Sequence, residues 1–443
     1  MTGYVRGKYQ LAAWADGSAA TGRRLTDFEA TEAYGPLLPE VDARSAAVLL
    51  AEPNAIESAL RSRREAVGVP IAVLASRTRL STDTVGAAET DASDIAIRDI
   101  ERIAFALGLD ERLIALDRTA RADTSLGVRL RTLTYPPTST AHLSAELVLS
   151  LLEAASVVRV QRRLQRWLGL DVEYVGLTPS SDFGDSLHPA WKVGYSLAES
   201  ARASLGIGNR PIASMRELVE STFRIPVLQS DLPNWVAGAT VDTLGDRGIL
   251  LNASGQNENV WVRRATLAHE LCHFLFDPED ILRSVCVDSY ENSEADPERS
   301  LDTDFAEQRA NAFAVAFLAP PSEVRRIVPG TITAEGVERV MSAFGIGRVA
   351  AHYHVWNANY RNYDPLPVNS VHITPTDEQI AAENFTLDYF RPSSTPLMRR
   401  GRFAYLVAAA VDSGMISDDT AAQYLFCSIN EVREHLNFLL QLQ

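Results

Sequence analysis

From Ala55 onward, apolar side chains recur at three- and four-residue intervals. Ile56, Leu60, Ile71, Leu74, Ala75, Leu80, Val85, Ile100, Ile103, Leu107 and Leu109 mark one face of successive helices. Gly68-Val69-Pro70 and Leu80-Ser81 interrupt the pattern, so it predicts four or five short helices. Thr134–Thr140 has the composition of a linker. An amphipathic helix is predicted over about Ala141–Leu168, closing at Gly169, and Thr178–Pro189 is a second linker rich in Ser, Asp, Gly and Pro. Beyond Ala190 the pattern predicts helices over Trp191–Ala203 and Ser214–Thr222. Short β-type runs follow at Pro226–Gln229, Val236–Val241 and Gly248–Leu251. Two more helices, Val262–Phe276 and Phe305–Leu318, flank the acidic stretch Asp277–Asp304. Helices continue from Pro320-Pro321 to about Tyr360. A loop with Pro365 and Pro367 then leads into a small helical module. Residues 1–53 carry breaker clusters near Gly17 and at Pro36–Pro39 and receive no element and no function. No internal repeat is visible.

The expected class is a mostly helical α+β chain, divided into an unassigned region 1–53, a helical module 54–116, a helical linker region 117–189, a mixed domain 190–360 and a C-terminal helical module 361–443. Composition narrows the functions. The chain has 443 residues, 46% of them hydrophobic and 22% charged, which excludes wholesale disorder. It carries 57 acidic against 42 basic residues, a formal charge of −15, so it is no general polyanion binder. Nucleic-acid contact would need a local basic face. The three cysteines, Cys272, Cys286 and Cys427, read as free thiols of a reducing cytosol. Met1–Gln10 is followed by no apolar signal region, and the longest apolar runs, Ala312–Ala319 and Tyr405–Val411, are too short for a bilayer. A cytoplasmic protein with no membrane partner is expected.

One segment carries chemistry. Thr266–Phe276 contains His269-Glu270-x-x-His273. Residues i and i+4 share a helix face, so both imidazoles can address one ion, and Zn²⁺ accepts neutral imidazole nitrogen. Glu270, next to the first imidazole, is placed as general base for a water and as proton donor to a leaving amine. A third ligand is needed. Glu307, on the next predicted helix, is the best candidate, with Asp302, Asp304 and Cys286 as alternatives. Asn311 lies four residues after Glu307 on the same face, where its carbonyl could accept the second ring N–H of a ligating histidine. Plain alternatives exist: a salt bridge for Glu307, helix packing for Asn311. Cys272 reads as a packing residue, with redox sensitivity as its alternative. Cys286 has the alternative of a removable fourth ligand that keeps the site latent. His352 and His354 read as helix-surface or interdomain residues, the alternative being oxyanion stabilisation.

These residues carry a resemblance. His269–His273 with the preceding Arg-Ala-Thr-Leu-Ala, and Glu307-x-x-Ala310-Asn311-x-Phe313-Ala314 ending in Pro320, resemble the ImmA/IrrE family of metallopeptidases. Leu205–Ile212, Met215–Leu218 and Gly248–Asn252 are similar to that family's entry helix and sheet, so the likeness spans about 190–360. The resemblance implies a zincin-like domain, zinc held by two histidines and one glutamate, and cleavage of regulatory proteins. Cys272 stands where the family has glycine and Ala319 where it has methionine, and the interval from His273 to Glu307 is longer.

Residues 55–115 resemble an XRE-type helix-turn-helix: Leu60–Arg64 in the first helix, Ile71–Leu80 the second, Ser81 capping the third, Ile100–Leu109 the last. The recognition segment Thr82–Glu89 lacks Arg, Lys, Gln and Asn, and Asp83, Glu89, Asp91 and Asp94 oppose phosphates. Arg61, Arg63, Arg64, Arg77 and Arg79 remain for the DNA backbone. A fold kept for protein contact is the competing reading. Residues 402–442, with N-caps at Ser417 and Ser428, resemble the tail helices of longer proteins of this kind and are assigned docking or homodimer formation.

The expected function is zinc-dependent, site-specific cleavage of a regulatory protein, such as an XRE-type repressor, in a stress, phage-defence or mobile-element response. Strand Gly248–Leu251, as a sheet edge, is expected to hold substrate by strand addition. The alternative class is a non-enzymatic helix-turn-helix regulator or antitoxin-like protein with a sensory zinc domain. An intact Glu270 favours the enzyme, because a structural zinc site needs no base.

Overall fold

The computed structural model describes residues 3–13, 22–38, 47–50, 54–112, 114, 144–170, 172–177, 189–234, 236–243, 245–277, 305–359, 371–383 and 390–442, and the backbone of 129–132, 284–287 and 301–304.

Residues before Ala55, for which the sequence predicts no element, form a small antiparallel sheet. Its strands β1 (Tyr4–Arg6), β2 (Gln10–Ala13), β3 (Arg23–Leu25) and β4 (Val48–Leu49) lie in the order β3-β1-β2-β4. Strands this short carry too few alternations to register as a pattern. Helix α1 (Asp27–Tyr34) follows, started by a capping box between Thr26 and Glu29. Four helices then occupy the periodic stretch: α2 (Ala55–Ala66), α3 (Ile71–Thr78), α4 (Thr82–Ala88) and α5 (Ile97–Ala106). Ser81 caps α4 by accepting from the Thr84 amide. Leu11, Leu25, Tyr34, Ile56, Leu60, Leu74, Val85 and Ile100 share one core, so the sheet and the four helices form one unit.

Helix α6 (Ala145–Trp167) differs from its expectation. The sequence places it, as an amphipathic helix, in a linker region, yet every residue from Leu147 to Gln165 is buried. Val148, Leu149 and Leu152 belong to the N-terminal core. Leu151, Val157 and Leu164 belong to a second core with Leu250, Phe403 and Leu425. The charged residues that imitate a solvated face are all internally paired. Glu153 meets Arg77 at 2.7 Å and Arg399 at 2.6 Å, Arg163 meets Glu111 at 2.9 Å, and Arg159 donates to the Gly108 and Leu109 carbonyls. Buried charge is tolerable only when so matched, and this helix is the spine of the molecule.

The mixed region contains a five-stranded sheet. Its strands are β5 (Arg129–Thr132), β6 (Val227–Ser230), β7 (Gly238–Thr243), β8 (Asp246–Asn252) and β9 (Ser284–Val287), in the order β5-β9-β7-β8-β6. Strand β8 pairs antiparallel with β7 and parallel with β6, Ile249 lying opposite both Thr240 and Val227. The Gly248–Leu251 segment is therefore interior, and the expectation that it is a free edge for substrate is overturned. Both rows of its backbone hydrogen bonds are already in use. Helices α7 (Ala190–Ser204), α8 (Val260–Phe276), α9 (Leu301–Leu318), α10 (Pro321–Ile327), α11 (Ala334–Phe344) and α12 (Arg348–Ala358) build a core around Phe223, Leu267, Leu271, Phe313 and Phe317.

Toward the C-terminus lie α13 (Asp377–Glu383), α14 (Arg402–Asp412), α15 (Asp418–Leu425) and α16 (Ile429–Leu439). Ser417 and Ser428 cap α15 and α16, and Ala421, Leu425 and Val432 are buried. These helices pack on α6 and reach the N-terminal sheet, where the Arg24 amide donates to Asp419 at 2.9 Å and the Thr26 hydroxyl to the Met415 carbonyl at 2.7 Å. Among the described residues no helix is long and apolar enough to cross a membrane.

Candidate metal centre

Helix α8 opens at Asn259, whose side chain accepts from the Trp261 amide, and runs unbroken through His269 and His273. The four-residue spacing stacks the two imidazoles, with ring centroids 4.6 Å apart and their Nε2 atoms 2.9 Å apart. Helix α9 supplies the third group. Glu307 places Oε2 at 3.3 Å from His269 Nε2 and Oε1 at 3.4 Å from His273 Nε2. The donor atoms of these three residues lie within 4.8 Å of one another, the one such constellation found among the described residues. On its other side α9 packs tightly on α7 at Gly194. A Cβ there would stand 2.3 Å from the Arg309 carbonyl oxygen and 2.8 Å from the Phe313 nitrogen.

Each ring is oriented from behind. His269 Nδ1 is 2.9 Å from Asn311 Oδ1, so Asn311 stands where the sequence suggests a supporting carbonyl. His273 Nδ1 is 2.5 Å from Asp277 Oδ2, and the other Asp277 oxygen is bound by Arg309 of α9. Sequence reasoning missed Asp277 and Arg309. The available signal was the i,i+4 spacing of Asp277 from His273 at the end of α8. With both Nδ1–H groups donating, the two Nε2 lone pairs and the Glu307 carboxylate converge on one point. Such a set of donors could hold a cation between them, and neutral imidazole nitrogen with carboxylate oxygen is a combination that zinc accepts. Burial disfavours charge on His273, but the Asp277 hydrogen bond and the Glu307 and Asp277 charges outweigh it and raise its pKa above the ordinary imidazole value. Burial would raise the Asp277 carboxyl; His273 and Arg309 instead hold it below the usual range.

Glu270 is buried and its Oε2 accepts from the Thr240 hydroxyl of β7 at 2.9 Å. Cys272 is fully buried in the core, hydrogen-bonded to Arg309, and burial pushes its thiol up to about 12. It packs among the core residues of α8 and α9. His352 and His354 are buried rather than on the helix surface. His354 donates from Nε2 to the Ala319 carbonyl at 2.6 Å and its Nδ1 is 2.7 Å from the Tyr195 hydroxyl, tying α12 to α7 and α9. Burial lowers its pKa to about 4. Neither histidine lines the cleft beside His269. The side chains of Cys286, Asp302 and Asp304 and most of the acidic stretch lie outside the described residues.

That cleft has a volume of about 1070 Å³ and is lined by Thr266, His269, Glu307 and Asn311, with Val262, Val315 and Met341 beside them. The helices α2–α5 present a different surface. Arg63 donates to the Leu107 carbonyl at 3.1 Å, and Arg64 forms a two-pronged pair with Glu89 at 2.7 and 2.8 Å. Arg61 binds the Glu89 carbonyl. Arg77 pairs with Glu153, and Arg79 lies over the Phe426 ring at 4.6 Å while donating to Ser394. All five arginines expected to face a phosphate backbone are engaged within the protein.

Residues 222–355 match the Peptidase_M78 family model, described as an IrrE N-terminal-like domain. No curated protein matches the chain. The match spans α8, α9 and every residue of the constellation. It supports a metallopeptidase of the ImmA/IrrE type, and with it a metal cofactor and a protein substrate. Helix α7, the stretch Leu205–Leu218 and residues 371–383 lie outside the matched span.

Proposed function

We propose that this protein is a zinc-dependent endopeptidase in which His269, His273 and Glu307 hold the ion and Glu270 is the general base. One observation carries the reading: three donor atoms converge, two of them on residues that line an accessible cleft (His269 and Glu307), while both histidines are fixed through their other nitrogens. Zinc in that position supplies Lewis acidity, acidifying water and polarising a peptide carbonyl.

The protein's own groups do the rest. Glu270 takes the proton of the attacking water on a carboxylate oxygen as the new C–O bond forms. It then delivers that proton to the amine nitrogen as the C–N bond breaks. Thr240, donating to Oε2, keeps that carboxylate from rotating away. Asn311 and Asp277 keep the Nδ1 tautomer on both rings, so each Nε2 lone pair faces inward. The polypeptide substrate is a regulatory protein of the same cytoplasm, an XRE-type repressor in a stress, phage-defence or mobile-element response being the one that the family likeness favours.

The test is a purified, zinc-loaded protein incubated with proteome-derived substrates. Cleavage is expected from the wild type and from protein reloaded after chelation, and from neither the chelated protein nor Glu270→Gln. Zinc-loaded Glu270→Gln that cleaves at the wild-type rate would overturn the assignment.

A further inference from the structure

Part of the lining of the cleft comes from outside the family match. Residues 371–374 line it, and they are held as a strap. Val371 is buried in the core that contains Leu267 and Phe313, and the His372 amide donates to Glu338 at 3.0 Å. Downstream, Gln379 of α13 accepts from the Trp261 indole at 3.1 Å and donates to the Ser342 carbonyl at 3.2 Å. Glu383 closes the strap. Its carboxylate accepts from the Met215 and Arg216 amides at 2.7 and 3.1 Å and pairs with Arg264 of α8 at 2.5 Å. Glu383 and Arg264 are both buried. The strap is thus clamped to the helix that carries His269 and His273, so its position relative to those histidines is fixed.

Between these anchors Ile373 lines the cleft together with Val262, Val315 and Met341, continuous with His269 and Glu307. Beside a peptide-cleaving centre this wall meets the polypeptide being cut; Arg348, Gln256 and Asn259 also line the cleft, but Ile373, Val262, Val315 and Met341 offer apolar carbon, which gains most by covering an aliphatic side chain. We infer that the strap residue Ile373 determines specificity, completing an apolar subsite that selects a bulky aliphatic side chain in an extended segment of the substrate next to the scissile bond. The inference rests on the peptidase reading. Burying a leucine-sized group is worth on the order of 10- to 100-fold in affinity.

Two probes separate the metal anchor from the subsite: N-acetyl-glycine hydroxamate, which offers the chelating group alone, and N-acetyl-leucine hydroxamate. Titration calorimetry on the zinc-loaded full chain is expected to show the leucine compound binding at least about tenfold more tightly. Ile373→Asp should abolish that preference and Ile373→Ala should reduce it several-fold. Ile380→Asp, on the exposed side of the same strap, should keep it. The glycine compound should bind all four proteins alike. Absence of any leucine preference in the wild type, or its survival in both Ile373 variants, would overturn the inference. Failure of the glycine compound to bind the zinc-loaded wild type would instead overturn the peptidase reading beneath it.

Discussion

The helix pair α8–α9 and the helices α2–α5 use their charged side chains in opposite ways. In α8–α9, Asn311, Asp277 and Arg309 hold the outer faces of two histidines, and the inner nitrogens meet Glu307 beside a cleft that His269 and Glu307 line. In α2–α5 the cations are engaged by other parts of the protein: Arg64 by Glu89, Arg77 by Glu153, and Arg79, though exposed, by Phe426 and Ser394. Spacing along a helix predicts chemistry only where tertiary packing brings donor atoms from several elements together beside an accessible cleft. The first region keeps its ligands poised, whereas the second keeps a shape whose charges have become structural.

The largest effect should come from removing a converging donor. His269→Ala, His273→Ala and Glu307→Ala are each expected to drop bound zinc from one per chain to near zero, read by elemental analysis of the purified protein. Full zinc in Glu307→Ala would return the third position to Asp302, Asp304 or Cys286. Next come the supports. Asp277→Asn and Arg309→Ala leave the three donors intact but loosen His273, so zinc affinity should fall about 10- to 100-fold in a competition titration. Equal affinity in both would show that the orientation of His273 is set elsewhere.

Much of this contrast was legible in the sequence, and the reasons differ by residue. His269, Glu270 and His273 are close in the chain, so helix geometry alone brings them together. Asn311 follows from its spacing to Glu307. Asp277 was hidden because it sits past the last apolar residue of α8 and reads as the start of an acidic loop. The spine α6 was misjudged for a related reason: Glu153, Arg159, Arg162 and Arg163 look solvated until their partners, contributed by α3, the turn after α5 and the C-terminal helices, are in place. Strand β8 could not be placed as interior without knowing that β6 lies parallel beside it. The wall at 371–374 is invisible locally, because what fixes it is a clamp between Glu383 and Arg264 across more than a hundred residues.

The buried charges of the spine have their own signature. Burial would raise the carboxyls of Asp110 and Glu111, but Arg112, Arg163 and Arg159 overcome it and hold both below the ordinary range. A carboxyl whose pKa is depressed on folding adds stability that is complete above the unfolded value, about 4, and is lost as pH falls through the folded value. Denaturant midpoints should therefore fall steeply below pH 4, beneath a shallower decline from about pH 6.5 as the unfolded chain gains the proton that buried His354 refuses. Glu111→Gln should flatten that acid limb. An unchanged limb would place the acid sensitivity in other carboxylates.

The smallest effect concerns DNA. With their arginines engaged, α2–α5 should leave the full chain binding a random duplex no more tightly than about 10⁻⁶ M at physiological salt by fluorescence anisotropy. Glu89→Gln, which loosens Arg64, should steepen the salt dependence by about one phosphate contact at most. Nanomolar, sequence-specific binding by the wild type would dissolve the contrast between the two regions.

Glu270 is proposed to move a proton during peptide cleavage without holding the metal. Mass spectrometry of new protein N-termini in cells expressing wild type or Glu270→Gln, with zinc measured on both purified proteins, tests it most directly. Equal zinc is expected in both, with a small set of new N-termini at least about 10²-fold depleted in the variant. The same N-termini at the same abundance in both cell lines, with zinc equally bound, would contradict it.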